Sequence, residues 1–72
     1  MSELSDGSHD VVVVDAREDE DGVVHLELAV TSGAHKGDVV HVAARSFARD
    51  ALDVLGLPAT VHVHEGVPRV VF

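Results

Sequence analysis

Six histidines in 72 residues are the side chains of this sequence best able to do chemistry near neutral pH, because imidazole changes charge between about pH 5 and 8 and is the commonest metal ligand. His62-Val63-His64 sets two of them on one side of an extended strand, with Cβ atoms roughly 6.5–7 Å apart. A divalent ion fits that spacing when a third ligand joins. His25 and His41 occupy outward positions of two other extended runs; one register sets them opposite each other, and a slip of two residues sets Glu27 opposite His41 instead. The sequence does not choose between the two. Exposed strand positions also take histidine simply as a polar residue, so no metal site is assigned and His62 and His64 stand as candidates only. Protonating all six rings would move the formal charge from −8 to −2, so behaviour below about pH 6.5 is expected to differ from that at neutrality.

The run Glu18-Asp19-Glu20-Asp21-Gly22 gathers four carboxylates. A hard cation wants six or more oxygen ligands at alternating positions of a wrapping loop, and this run lacks that spacing. It reads as a solvated hairpin tip. Binding of single-stranded nucleic acid calls for aromatic platforms and a cationic groove. The chain has no Trp or Tyr, two phenylalanines and five cations, Arg17, Lys36, Arg45, Arg49 and Arg69, spread along its length. With thirteen acidic residues the field repels phosphate, so nucleic acid is disfavoured as a partner and basic partners are favoured. Lys36 and Arg69 are the cations to test first. Nucleophilic catalysis finds no Cys and no Gly-x-Ser-x-Gly elbow, and a core this small leaves little room for an enclosed pocket. The reading is a non-enzymatic protein with no cofactor.

The elements that position these residues follow from periodicity. Met1 to His9 has neither helical nor strand period and reads as a frayed tail, which leaves residues 10–72 as one small domain. Val11-Val12-Val13-Val14 is β-branched throughout and favours a strand. After the acidic turn, Val24, Leu26, Leu28 and Val30 alternate with His25, Glu27 and Ala29, the clearest strand of the chain. Thr31 to Gly37 turns the chain into Val39-Val40-His41-Val42, where Val40 and Val42 face inward and His41 outward. Ser46 is an expected N-cap, followed by Phe47, Ala51, Val54 and Leu55 as a helical apolar stripe that Gly56 and Pro58 end. Ala59, Val61 and Val63 then alternate with Thr60, His62 and His64, and Glu65-Gly66 leads to a last strand, Val67 to Phe72, in which Pro68 implies an edge or a bulge.

This β-β-β-α-β-β order over residues 10–72 resembles the OB-fold, a partly open five-stranded Greek-key barrel. The segment Thr31-Ser32-Gly33-Ala34-His35-Lys36-Gly37 is similar to the Ser-Gly-x-x-Lys-Gly turn of some small single-strand-binding OB proteins. The resemblance implies that strand four joins strand one, and that oligonucleotides or oligosaccharides are the usual ligands. An SH3-like barrel is the alternative architecture. The expected fold is therefore mainly β, a five-stranded OB-fold-like Greek-key barrel with one short helix between strands three and four. The run Val67 to Phe72 is apolar on both faces, and as an exposed sheet edge it suits a protein partner or self-association through Val71. The other expected binding positions beside Val71 are Lys36, His41 and Arg69. With no basic leader ahead of an apolar run and no apolar stretch near the ~20 residues of a membrane span, no membrane partner and a cytoplasmic location are expected.

Overall fold

The computed structural model describes residues 4–45 and 50–72. Strands β1 (Gly7–Glu18), β2 (Val24–Val30) and β3 (Val39–Ala44) precede a one-turn helix α1 (Ala51–Val54), and β4 (Pro58–His64) and β5 (Val67–Val71) follow it. All pairings are antiparallel, in the order β3-β2-β1-β4-β5. Three hairpin-connected strands with a fourth returning beside the first make a Greek key, here curled into a half-barrel whose two edges are β3 and β5.

The valine-rich runs become strands because β-branched side chains pack well on a pleated surface, and their alternation decides which face is buried. Val24, Leu26, Leu28 and Val30 of β2 line the inside with Val11, Val13 and Ala16 of β1, Val40 of β3 and Val61 and Val63 of β4. Leu26 and Leu28 are completely buried, each contributing roughly 1.5–3 kcal/mol by leaving water. Helix α1 packs against β1 and β2 with fully buried Val54, and Leu4, Leu57, Val70 and Phe72 pack, partly buried, against this core.

β1 carries the curl. Its register shifts between Val13 and Asp15, leaving Val14 as an extra, half-exposed residue. Such a bulge bends the strand and sharpens its twist. At that point the chain leaving α1 docks on β1: the Val13 amide donates to the Leu57 carbonyl (3.0 Å) and the Gly56 amide to the Val13 carbonyl (2.8 Å). Pro58 then opens β4 opposite Val12, a strand-initial position where its missing N–H is tolerated.

Three expectations change. β1 begins at Gly7 rather than near Asp10, because Gly7, Ser8 and His9 pair with Val63, His62 and Val61, and Leu4 packs on the core; much of the segment read as a tail is thus part of the domain. The described helix begins at Ala51, after an extended Asp50, while Ser46 and Phe47 lie outside the described residues. Leu55, expected on the buried stripe, is half exposed, because the helix has ended and the chain has already turned toward β4.

Candidate functional site

The outward face of β2 and β3 gathers the densest polar chemistry. The hairpin between them adopts the register with Glu27 opposite His41, and His25 lies opposite Ala43. His25 and His41 are therefore diagonal neighbours, a separation that long or aromatic side chains still span. Their rings meet: Nδ1 of His25 lies 2.9 Å from Nε2 of His41, with ring planes 18° apart and centroids separated by 5.1 Å. The nitrogen contact is shorter than the ~3.5 Å of rings in van der Waals contact, so this is a hydrogen bond between ring edges. The second nitrogen of His25, Nε2, lies 2.8 Å from Oδ2 of Asp19.

Asp19 is placed by the β1–β2 turn. Its Oδ1 accepts from the amides of Asp21 (2.9 Å) and Val23 (3.0 Å), while its carbonyl accepts from Gly22. The His25 hydrogen bond first, and the Val23 amide next, hold the Asp19 carboxyl below its ordinary value of 3.8. Since an ionised carboxylate can only accept, the His25 proton resides on Nε2. In the neutral ring Nδ1 is then a bare lone pair aimed at His41.

A second histidine contact forms at the other end of β1, where the rings of His9 and His35 meet edge to face with centroids 5.5 Å apart. Nδ1 of His35 lies 3.2 Å from Oδ2 of Asp38, and Nε2 of His9 lies 2.6 Å from the Ser5 carbonyl.

The candidates on β4 are less organised. His62 and His64 are both exposed. Nδ1 of His62 lies 2.8 Å from Oγ of Ser8, its partner across β1, and His64 stands opposite Val67. Among the described residues no group of three or more His, Asp or Glu side chains is placed to hold a metal ion. The Ser8–His62 contact has no carboxylate on the second imidazole nitrogen among the described residues, so it lacks the third group of a nucleophilic relay.

β5 is the exposed edge. Among the described residues it pairs only with β4, and four of its five residues are exposed, Val67 at 67% and Val71 at 42%. Beside it a groove of about 390 Å³ is lined by Asp10, Thr31, Thr60, His62, Val71 and Phe72 among others. Arg69 shares the outward face of β5 with Val71 and stands opposite His62. Lys36 is exposed in the β2–β3 turn, where its amide donates to the Gly33 carbonyl, and His41 lies on β3, at the far edge of the sheet from Val71. Of the four singled-out positions only Arg69 and Val71 come together; Arg49 lies outside the described residues.

Sequence reasoning missed Asp19 and Asp6. Oδ1 and Oδ2 of Asp6 accept from the Gly66 and Glu65 amides, both at 3.1 Å, and clamp the β4–β5 turn. For Asp19 a signal was present, an aspartate opening a turn that closes on glycine; for Asp6 the contact spans about sixty residues and left none. No helix is long and apolar enough to cross a membrane among the described residues. Compared with protein-family models, with curated proteins and with solved structures, the chain matches none.

Proposed function

We propose that this domain is a small non-enzymatic binding module of OB-like strand order that engages a protein partner by adding an extended, basic segment to β5. The observation that carries this reading is the one-sided pairing of β5 together with its outward Val67 and Val71. An edge strand offers a row of unpaired N–H and C=O groups, and alternate side chains beside it supply specificity. The groove that reaches β5 is lined by the apolar Val71 and Phe72 and by the acidic Asp10. A net charge of −8 favours a cationic segment over an acidic one.

The OB-like reading is supported by β1 lying between β2 and β4, with the helix between β3 and β4. That order also keeps single-stranded nucleic acid as the second reading. It is the weaker one, since Arg17, Lys36, Arg45 and Arg69 lie on separate elements or turns and form no basic track.

The test is an NMR titration of the labelled domain with a short peptide alternating Lys and Val, against its counterpart with Glu in place of Lys. Amide signals of Val67, Arg69 and Val71 are expected to move saturably with the Lys peptide, and Val71→Arg is expected to abolish the shifts. Shifts confined to other strands, or equal for both peptides, would overturn the reading. Concentration-dependent dimerisation that broadens the β5 signals would replace the basic partner with a second copy. Salt-sensitive binding of an oligonucleotide in place of the peptide would favour the second reading.

A further inference from the structure

The groove that reaches Val71 and Phe72 is also lined by polar side chains of β1 and β4 and by Thr31 at the end of β2. We propose that this groove binds a small primary amine with a short apolar body, the ammonium held by Asp10 together with the hydroxyls of Thr31 and Thr60, and the body lying on Val71 and Phe72. The inference goes beyond strand addition, because Asp10 belongs to β1, two strands in from β5.

Strand register assembles the site. Asp10 stands opposite Thr60, and Thr60 opposite Val71. A carboxylate, a hydroxyl and an apolar side chain therefore follow one another in a single row across β1, β4 and β5, with Cα atoms of neighbouring strands about 4.5–5.5 Å apart. Thr31 flanks Asp10 on its other side, where its amide (2.9 Å) and its hydroxyl (3.2 Å) both donate to the Asp10 carbonyl. A hydroxyl whose proton is engaged in this way keeps its oxygen lone pairs for a donor. The Ser32 hydroxyl donates to Oδ2 of Asp10 at 3.1 Å. That contact orients the carboxylate and leaves Oδ1 with no hydrogen-bond partner among the described residues.

Charge selects a cation. Asp10 supplies a carboxylate and, among the described residues, no lysine or arginine lines the groove; Arg69, opposite His62, lies outside the lining. The net charge of −8 adds a field of the same sign. The volume of about 390 Å³ lies within the range of small-ligand sites.

The donor count selects a primary amine. An alkylammonium carries three N–H donors, and Asp10 Oδ1 with the hydroxyl oxygens of Thr31 and Thr60 are acceptors for them, the carboxylate giving the strong, charge-assisted bond. A quaternary ammonium has no N–H and is recognised by several aromatic faces, whereas Phe72 is the one Phe, Tyr or Trp in the described lining. The body of the ligand covers Val71, which is 42% exposed, and so removes apolar surface from water.

The experiment is an NMR titration of the ¹⁵N-labelled full chain with phenethylamine at neutral pH. Its controls are the trimethylammonium analogue, equal in charge and body but without N–H, and hydrocinnamate, an anion of similar shape. Amide signals of Asp10, Thr31, Thr60 and Val71 are expected to move saturably with the primary amine, about tenfold more weakly with the trimethyl compound, and not with hydrocinnamate. Asp10→Asn, which keeps an acceptor for Ser32, is expected to weaken amine binding about tenfold, and the isosteric Thr60→Val about fivefold. Equal affinity for the two cations, unchanged affinity in both variants, or no saturable shift in the groove at millimolar amine would each overturn the proposal. The alternating Lys and Val peptide separates this site from strand addition, since it is expected to move the β5 signals of Asp10→Asn as it moves those of the parent chain.

Discussion

The β1–β2 and β4–β5 hairpins are built from similar valine-rich sequence, yet they hold their outward residues in opposite ways. In the first, β2 is flanked by β1 and β3, so its inward residues are buried and its outward ones half-buried. In the second, β5 has a neighbour on one side only among the described residues and stays exposed at four of five positions. The turns differ in the same sense. Asp19 both closes the first turn and reaches the imidazole of His25, whereas the second turn is a tight Glu65-Gly66 pair with both φ positive, 51° and 79°, clamped from outside by Asp6. The outward residues of β2, flanked on both sides, thus join a polar cluster with His41 of the other edge strand, β3, whereas β5 leaves its backbone and valines exposed to another chain.

The largest test of this contrast is Leu26→Ala against Val71→Arg. Removing the fully buried leucine of β2 is expected to cost about 2–5 kcal/mol in urea unfolding, enough to threaten folding in so small a domain. The β5 substitution is expected to stay within about 1 kcal/mol. Equal costs would show that β5 is not the exposed member of the pair.

Acid separates the two turns next. Asp19 has a folded pKa below its unfolded value of 3.8, so its contribution is present above 3.8 and is lost as pH falls through the lower folded value. Asp19→Asn is expected to flatten the acid side of the stability profile between about pH 5 and 2; an unchanged acid slope would remove Asp19 as the anchor of the first hairpin. In the second turn, Glu65→Asn relieves a left-handed conformation that asparagine tolerates and supplies the Asn-Gly pair favoured in such turns. It is expected to raise the unfolding midpoint by up to about 1 kcal/mol of stability, and a lower midpoint would contradict the turn geometry. The smallest effect is expected from His62→Ala, within about 0.5 kcal/mol, because among the described residues this exposed ring hydrogen-bonds only to Ser8. A larger loss would mean that the β4 face is organised as the β2–β3 face is.

Much of the architecture was legible because burial follows period. The alternation in residues 24–30, the inward Val40 and Val42, the split of β4 into Val61 and Val63 against His62 and His64, and an edge position for Pro68 all follow from side-chain direction on a pleated strand. The bulge at Val14 was not legible, since four consecutive valines give no period to interrupt. The candidate site was legible only in part. His62 and His64 drew notice by their spacing along one strand, whereas His25 and His41 meet through a diagonal across two strands, sixteen residues apart in sequence.

The residues by themselves determined that this chain forms five β-strands with a valine and leucine interior and an acidic, histidine-bearing exterior, because alternation and β-branching act locally. Only the tertiary structure decided which register β2 and β3 adopt, that β1 starts at Gly7 against β4, and that Asp6 reaches the β4–β5 turn. Those choices depend on how strands from distant parts of the chain share one core. A slip of two residues keeps every side chain on its own face and so leaves the hydrophobic pattern unchanged.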